Sequence, residues 1–164
     1  MKEETNRDVW TRRWLIGWGG GLLGATTLLR PSAVTAAVSV TIAQPPNPTP
    51  QAFTERAFEM RNIAVSQGDQ GYGAVIVHTA SSKIVGQSPS RVVTNRDPSA
   101  HAEMEAIRDA ARRLGTRDLS KHTMYSSSRP CAMCEAAAYW ANIDSLYFGR
   151  STTSGGAPQV CPCR

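Results

Sequence analysis

The sequence predicts an α/β fold, in which helices and strands alternate along the chain. An apolar pattern with helical spacing over residues 51–64 is followed by two short strand patterns, at 74–78 and 83–86. The turn between these two strands indicates a β-hairpin. A strand–helix–strand pattern then occupies residues 123–149, and the right-handed crossover rule predicts that its two strands are parallel neighbours.

The first predicted helix follows a proline-rich stretch at residues 37–50, which we expect to form an extended linker because proline fixes φ and removes a hydrogen-bond donor. Its apolar residues recur at steps of three and four and share one face: Phe53, Ala57, Met60, Ile63 and Ala64. Glycines and Asp69 then predict a turn at 68–73, ahead of the first strand.

The second predicted helix is opened by Asp97, Pro98 and Ser99, with Asp97 or Ser99 as its N-cap and Pro98 near its first turn. This assignment places His101 and Glu103 in the first turn. The apolar face continues to Leu114, and Gly115 ends the helix.

The third predicted helix begins at Pro130, between the strands at 123–126 and 145–149. Its first turn carries Cys131 and Cys134, and a spacing of three residues puts both sulfur atoms on one face. Two helix N-termini are thus expected to meet, and their positive ends favour thiolates and developing negative charge.

The first 36 residues are predicted to be an export signal. Arg12 and Arg13 precede an apolar, glycine-rich run, and small residues suited to cleavage follow near Ala36. This arrangement resembles a twin-arginine signal peptide and predicts an exported, periplasmic protein. An uncleaved membrane anchor and a misassigned start codon, with a cytoplasmic protein, are the alternatives.

The length of 164 residues suits one domain, which we place at residues 51–150. Residues 151–164 are expected to form a short tail that carries Cys161 and Cys163. The net charge of +5 lies partly in the first 36 residues. This mild excess favours a solvated surface over a nucleic-acid partner, and the membrane is expected to be met only through the signal segment.

Three residues form a candidate catalytic zinc site: His101, Cys131 and Cys134. One imidazole and two thiolates suit Zn²⁺ and leave a fourth position for water. Zinc lowers the pKa of its bound water to about 7, and the nearby Glu103 carboxylate can carry the released proton. H-x-E followed about 30 residues later by P-C-x-x-C is the zinc deaminase signature. A structural zinc or a dithiol pair is the alternative.

Residues 51–149 resemble the cytidine/deoxycytidylate deaminase superfamily, nearest its guanine deaminase and tRNA adenosine deaminase branch. The resemblance lies in three stretches, at residues 73–77, 95–103 and 130–134. It implies a three-layer α/β/α sandwich around a mixed central sheet and a hydrolytic reaction that releases ammonia from a nucleobase or nucleoside. It also implies one catalytic Zn²⁺ per chain and a homodimer.

The same resemblance implies the roles of individual residues. His101, Cys131 and Cys134 would bind zinc, Glu103 would shuttle protons, and the Ala102 backbone would contact the base. Ser90 stands where the family usually has a base-binding Asn, and it is the further candidate substrate contact.

Two other positions depart from the pattern of this branch. Arg129 stands where Glu is frequent, and residues 150–164 lack the acidic residue that guanine deaminases use. A guanine-type substrate is favoured, from Tyr139, Trp140 and the 95–103 stretch. A cytosine or cytidine substrate, a tRNA adenosine substrate, and a degenerate zinc-binding interaction domain stay open.

Overall fold

The computed structural model describes residues 41–160. The predicted signal segment, Cys161 and Cys163 lie outside these described residues. The elements of the described part, in chain order, are α1 (Pro50–Ser66), β1 (Gly73–His78), β2 (Lys83–Pro89), α2 (Val92–Asn95), α3 (Ala102–Leu114), β3 (His122–Ser126), α4 (Ala132–Trp140), β4 (Ser145–Phe148) and β5 (Thr153–Gly156).

The five strands form one mixed sheet in the order β2-β1-β3-β4-β5. The β1–β2 pair is the predicted antiparallel hairpin, and β3 and β4 are the predicted parallel pair. β1 also pairs antiparallel with β3, with Ile76 opposite Met124. Both predicted strand relationships are therefore confirmed.

Alternation along β1 assigns its side chains to two cores on opposite faces of the sheet. Ala74 and Ile76 lie in a core shared with α3 and α4. Val75 and Val77 lie in a second core, which includes Phe53 from α1. Helices therefore cover both faces of the sheet, and the expected three-layer α/β/α sandwich is confirmed.

Two glycines allow helices to approach the sheet closely. A Cβ atom at Gly86 on β2 would lie 2.6 Å from Cβ of Ala110 and 2.7 Å from the Ala106 carbonyl oxygen, both on α3. A Cβ atom at Gly73 would lie 2.2 Å from the Ala57 carbonyl oxygen on α1. Because such contacts are too short for any other residue, these two glycines allow α1 and α3 to lie this close to the sheet.

The packed region begins earlier than residue 51. Thr49 caps α1 by accepting the Ala52 N–H, and Pro50 is the first residue of the helix. Upstream, Ile42 is buried in the core, and the Gln44 amide bonds both the N–H and the carbonyl of Ile84. Part of the predicted linker therefore packs against β2.

The buried face of α1 differs from the prediction at two positions. Thr54 is buried, whereas Ile63, which we expected on the core face, is 38% exposed.

The predicted start of the second helix was wrong. α3 begins at Ala102 with His101 as its N-cap, and Asp97 instead accepts the N–H and hydroxyl of Ser99 in the preceding turn. A short helix that we did not predict, α2, lies just upstream. Gly115 ends α3 with φ of 66°, as predicted.

The predicted tail contributes to the sheet. β5 (Thr153–Gly156) pairs antiparallel with β4, so part of the 151–164 segment is ordered structure, contrary to expectation. All four residues of this strand are exposed, so none of them needs to be apolar, and the sequence shows no apolar alternation here. No helix among residues 41–160 is long and apolar enough to cross a membrane.

Candidate metal centre and active site

Two of the predicted metal ligands are N-cap residues. His101 precedes α3 and Cys131 precedes α4, and both have extended backbone angles. Neither side chain caps its own helix, so both are free to turn toward the space between the helix N-termini. Cys134 lies one turn into α4 and is fully buried. The convergence of two helix N-termini, expected from the spacing of the motifs, is present.

The three ligand atoms form a nearly equilateral triangle. Nδ1 of His101 lies 3.7 Å from Sγ of Cys131 and 3.6 Å from Sγ of Cys134, and the two sulfur atoms are 3.6 Å apart. A tetrahedral zinc with bonds of about 2.3 Å to sulfur and about 2.0 Å to nitrogen requires separations of about 3.8 Å and about 3.5 Å. The triangle therefore fits one tetrahedral zinc ion.

Electrostatics at Cys134 also suit a cation. Burial raises the pKa of the Cys134 thiol well above its usual value, and the neighbouring Glu103 carboxylate raises it further. A divalent cation would reverse both effects, because it stabilises the thiolate directly. The three side chains and their surroundings could therefore hold a metal ion.

Glu103 lies beside this triangle, in the first turn of α3. The side chain is 4% exposed, and Oε2 lies 3.6 Å from Sγ of Cys134. The other carboxylate oxygen, Oε1, accepts the Ser126 hydroxyl at 2.8 Å. The carboxylate is thus held with one oxygen on the ligand side and the other toward the end of β3.

A cavity of about 180 Å³ opens onto this group. It is bounded by residues from two loops and the two helix starts: Gln70, Tyr72, His101, Glu103, Ser128, Arg129 and Cys131. The cavity is therefore large enough for a small molecule beside the three predicted metal ligands, the Glu103 carboxylate and Arg129.

Residues 48–150 match the model of the cytidine and deoxycytidylate deaminase zinc-binding region, which is more than half of the chain. The chain belongs to this family. The family assignment agrees with the resemblance inferred from the three sequence stretches, and the motif residues fall inside the matched region.

Relatives within the deaminase family come from two groups. The guanine deaminase of Bacillus subtilis is 36% identical over 104 residues, which are 63% of this chain and 65% of that protein. The tRNA-specific adenosine deaminase of Rickettsia bellii is 34% identical over 101 residues, which are 62% of this chain and 70% of that protein. The chain thus spans slightly less than two thirds of the guanine deaminase.

The crystal structure of guanine deaminase from Bacillus subtilis has a similar fold. It superposes with a TM-score of 0.57 at 36% sequence identity, over 60% of this chain and 62% of that one. The deaminase-family sheet and its flanking helices are therefore shared.

Ser90 is not at the surface of the cavity. It is fully buried, and its hydroxyl donates to Oδ1 of Asp69 at 2.9 Å. Asp69 also accepts the N–H groups of Gln70, Val93 and Thr94 and the Thr94 hydroxyl. In this member of the deaminase family, Ser90 helps to anchor α2 and the turn that carries Gln70 and Tyr72.

Ala102 and Arg129, also singled out from the sequence, differ in exposure: the first is buried and the second lies at the surface. Ala102 is the first residue of α3 and its side chain is fully buried in the core, so only its backbone is available to a ligand. Arg129 is exposed on the cavity rim, and its guanidinium lies 5.9 Å from the centre of the Phe148 ring.

Sequence reasoning missed Ser126 and Asp69 as contributors to the site. Ser126 follows an apolar strand pattern and shows no spacing relation to Glu103, from which 23 residues separate it. Asp69 was interpreted only as turn chemistry. A run of three serines before Arg129 and Pro130 was the one available signal, because hydroxyls at the end of a buried strand need partners.

Proposed function

We propose that this chain is a zinc-dependent hydrolase that removes the exocyclic amino group of a nucleobase or nucleoside as ammonia, with a guanine-type base favoured. The observation that carries the proposal is the His101, Cys131 and Cys134 triangle with Oε2 of Glu103 beside it. The similarity to guanine deaminase and tRNA-specific adenosine deaminase supports the same reaction class.

His101, Cys131 and Cys134 would hold the zinc, whose role when bound is to polarise a water molecule and lower its pKa to about 7. Oε2 of Glu103 accepts a proton as the water oxygen adds to the amidine carbon of the base. The same carboxyl passes this proton to the ring nitrogen. It then takes the proton of the new carbon-bound hydroxyl and gives it to the amino group, which leaves as ammonia. A carbonyl replaces the amine, so that the sum is substrate plus water giving product plus ammonia.

The surroundings of Glu103 support this proton transfer. The side chain is nearly excluded from solvent, so bulk water does not compete with the substrate for its proton. The backbone of Ala102, at the positive end of α3, is the proposed contact to the base. Ser90 contributes indirectly in this proposal, because its hydroxyl already donates to Asp69.

The test is ammonia release from a panel of guanine, adenine, cytosine, cytidine, adenosine and a tRNA anticodon stem-loop. The zinc-loaded protein is compared with Glu103→Gln, and we expect release from guanine or a related purine that is lost in the variant. Release that persists in Glu103→Gln would contradict the mechanism.

A zinc-binding interaction domain is the second candidate, because Arg129 occupies the cavity rim where this branch frequently has Glu. A protein that binds one zinc per chain but releases no ammonia from any member of the panel would favour it over the enzyme.

We also propose that the chain is exported through the twin-arginine pathway and forms a homodimer. Arg12 and Arg13 support the proposal of export, and replacing both with Lys should leave the protein in the cytoplasmic fraction.

The proposal of a homodimer rests on an exposed apolar surface of α4. Trp140 is 75% exposed and Tyr139 is 47% exposed, and a second copy of the chain would cover both side chains. Light scattering on the purified protein tests the dimer, and a monomer mass would contradict it.

A further inference from the structure

Ser126 is the last residue of β3 and lies directly under the proposed proton carrier. Its side chain is 1% exposed, and its Oγ atom lies 2.8 Å from Oε1 of Glu103 and 2.7 Å from the carbonyl oxygen of Ser128. Because a serine hydroxyl has one hydrogen, it donates to only one of these two oxygens at a time.

The two carboxylate oxygens of Glu103 therefore have different surroundings. Oε1 accepts from the Ser126 hydroxyl, whereas Oε2 lies 3.6 Å from Sγ of Cys134, on the side of the predicted metal ligands. A hydrogen bond to an ionised oxygen is stronger than one between neutral groups, so the hydroxyl holds the carboxylate plane in one orientation. Without it, rotation about the last side-chain torsion is broad and nearly two-fold.

The second neighbour of the hydroxyl connects this contact to the cavity. Ser128 is on the cavity wall, and its carbonyl oxygen lies within hydrogen-bond distance of the same Oγ atom. One buried hydroxyl is thus within hydrogen-bond distance of both Glu103 and the loop at 127–129.

We propose that Ser126 is a positioning residue that fixes the Glu103 carboxylate so that Oε2 alone is presented to water and substrate. This inference rests on the proposed deaminase function. It predicts that loss of the hydroxyl slows the chemical step and leaves zinc binding and substrate affinity nearly unchanged.

The first test is the kinetics of Ser126→Ala and Ser126→Thr. Misplacing a catalytic group costs up to about 100-fold in rate, so kcat of Ser126→Ala should fall about 10- to 100-fold, with KM changed less than about twofold. Ser126→Thr keeps the hydroxyl and should recover most of kcat. A rise in KM together with a fall in kcat and loss of zinc would instead indicate a structural role and overturn the proposal.

Ser88→Ala is the matched control. Ser88 is a buried serine on β2 whose hydroxyl donates to the Pro89 carbonyl at 2.7 Å. This control removes a comparable hydrogen bond, and kcat should stay within about twofold of the wild type, as expected for removal of a contact not made in the transition state. Equal losses of kcat in Ser88→Ala and Ser126→Ala would overturn the proposal.

A second readout does not depend on activity. Crystal structures of zinc-loaded wild type and Ser126→Ala should show Glu103 in one orientation in the first and rotated or in two orientations in the second. An unchanged carboxylate in Ser126→Ala would overturn the positioning role. A wild type that is silent on the substrate panel would overturn the proposed function alone, and the crystallographic comparison would still decide the role of Ser126.

Discussion

Nδ1 of His101 lies 3.6 Å from Sγ of Cys134, although 33 residues separate them in the chain. The fold produces this proximity by placing α3 and α4 on the same face of the sheet, with their N-termini side by side. The separation matches that required by a tetrahedral zinc ion, and the metal centre is therefore the first target for experiment.

Replacing Cys134 with Ser should abolish stable zinc binding. Loss of an outer partner of a metal ligand already costs 10- to 100-fold in affinity, so loss of a ligand should cost about 100-fold or more. Zinc content is measured by atomic emission on protein dialysed against a weak chelator. Cys161→Ser with Cys163→Ser is the control, and zinc loss in that double variant would contradict our choice of ligands.

Glu103→Gln should lose activity and keep its metal. A proton carrier contributes about 10²- to 10⁴-fold, so kcat should fall by about that factor while zinc content stays at one per chain. Glu105→Gln is the matched control, because Glu105 lies in the same turn of α3, is only 13% exposed and pairs with Arg108. If both variants lost activity equally, Glu103 would have no special role.

Asp69 should make stability depend on acid pH. Burial alone would raise the pKa of its carboxyl, but hydrogen bonds from the Thr94 and Gln70 N–H groups and the Thr94 and Ser90 hydroxyls outweigh burial and lower it well below 3.8. A carboxyl with a lowered folded-state pKa stabilises the protein above its unfolded-state pKa. That stabilisation is lost as the pH falls below 3.8 toward the folded-state value.

Asp69→Asn should therefore reduce the free energy of unfolding by about 2 kcal/mol at pH 7, because an amide cannot accept all of these donors. The difference from the wild type should shrink as the pH falls below 3.8. Urea unfolding at pH 7 and pH 3 measures both. Glu59→Gln, at an exposed pair with Arg56, should change stability by less than about 1 kcal/mol, and a larger effect there would undermine the comparison.

Gly86→Ala should displace α3 from the sheet. The new Cβ atom would lie 2.6 Å from Cβ of Ala110, and overpacking of this kind costs about 1–3 kcal/mol. Because α3 carries His101 and Glu103, zinc affinity should also fall. Thermal unfolding and zinc titration check the two effects.

Gly115→Ala is the comparison for Gly86→Ala. Position 115 has φ of 66° and open space around its Cα, so that only backbone strain of about 1 kcal/mol is added. Zinc affinity in Gly115→Ala should match the wild type. Equal zinc affinity in Gly86→Ala and the wild type would mean that the position of α3 against the sheet does not affect the metal centre.

Most elements of the fold were predictable, because the residue patterns that predict them lie within the elements themselves or directly beside them. The strand of Val75 and Val77 and the end of α3 at Gly115 depend on neighbouring residues, and both are present as expected. The apolar face of α1 is present except at Ile63, which is exposed. The cap of α3 was misassigned because Asp97, Pro98 and Ser99 form a turn that resembles a helix start. β5 was missed because its exposed small residues carry no apolar alternation.

The sequence by itself determined the ligand types, their spacing and the family. Those properties reside in the motifs around His101 and Cys131, where residue chemistry alone is informative. Only the tertiary structure decided that Ser90 donates to Asp69 and that Ser126 holds Glu103. The physical reason is that a buried hydroxyl is committed to whichever acceptor the packing brings near it, and no local pattern records that partner.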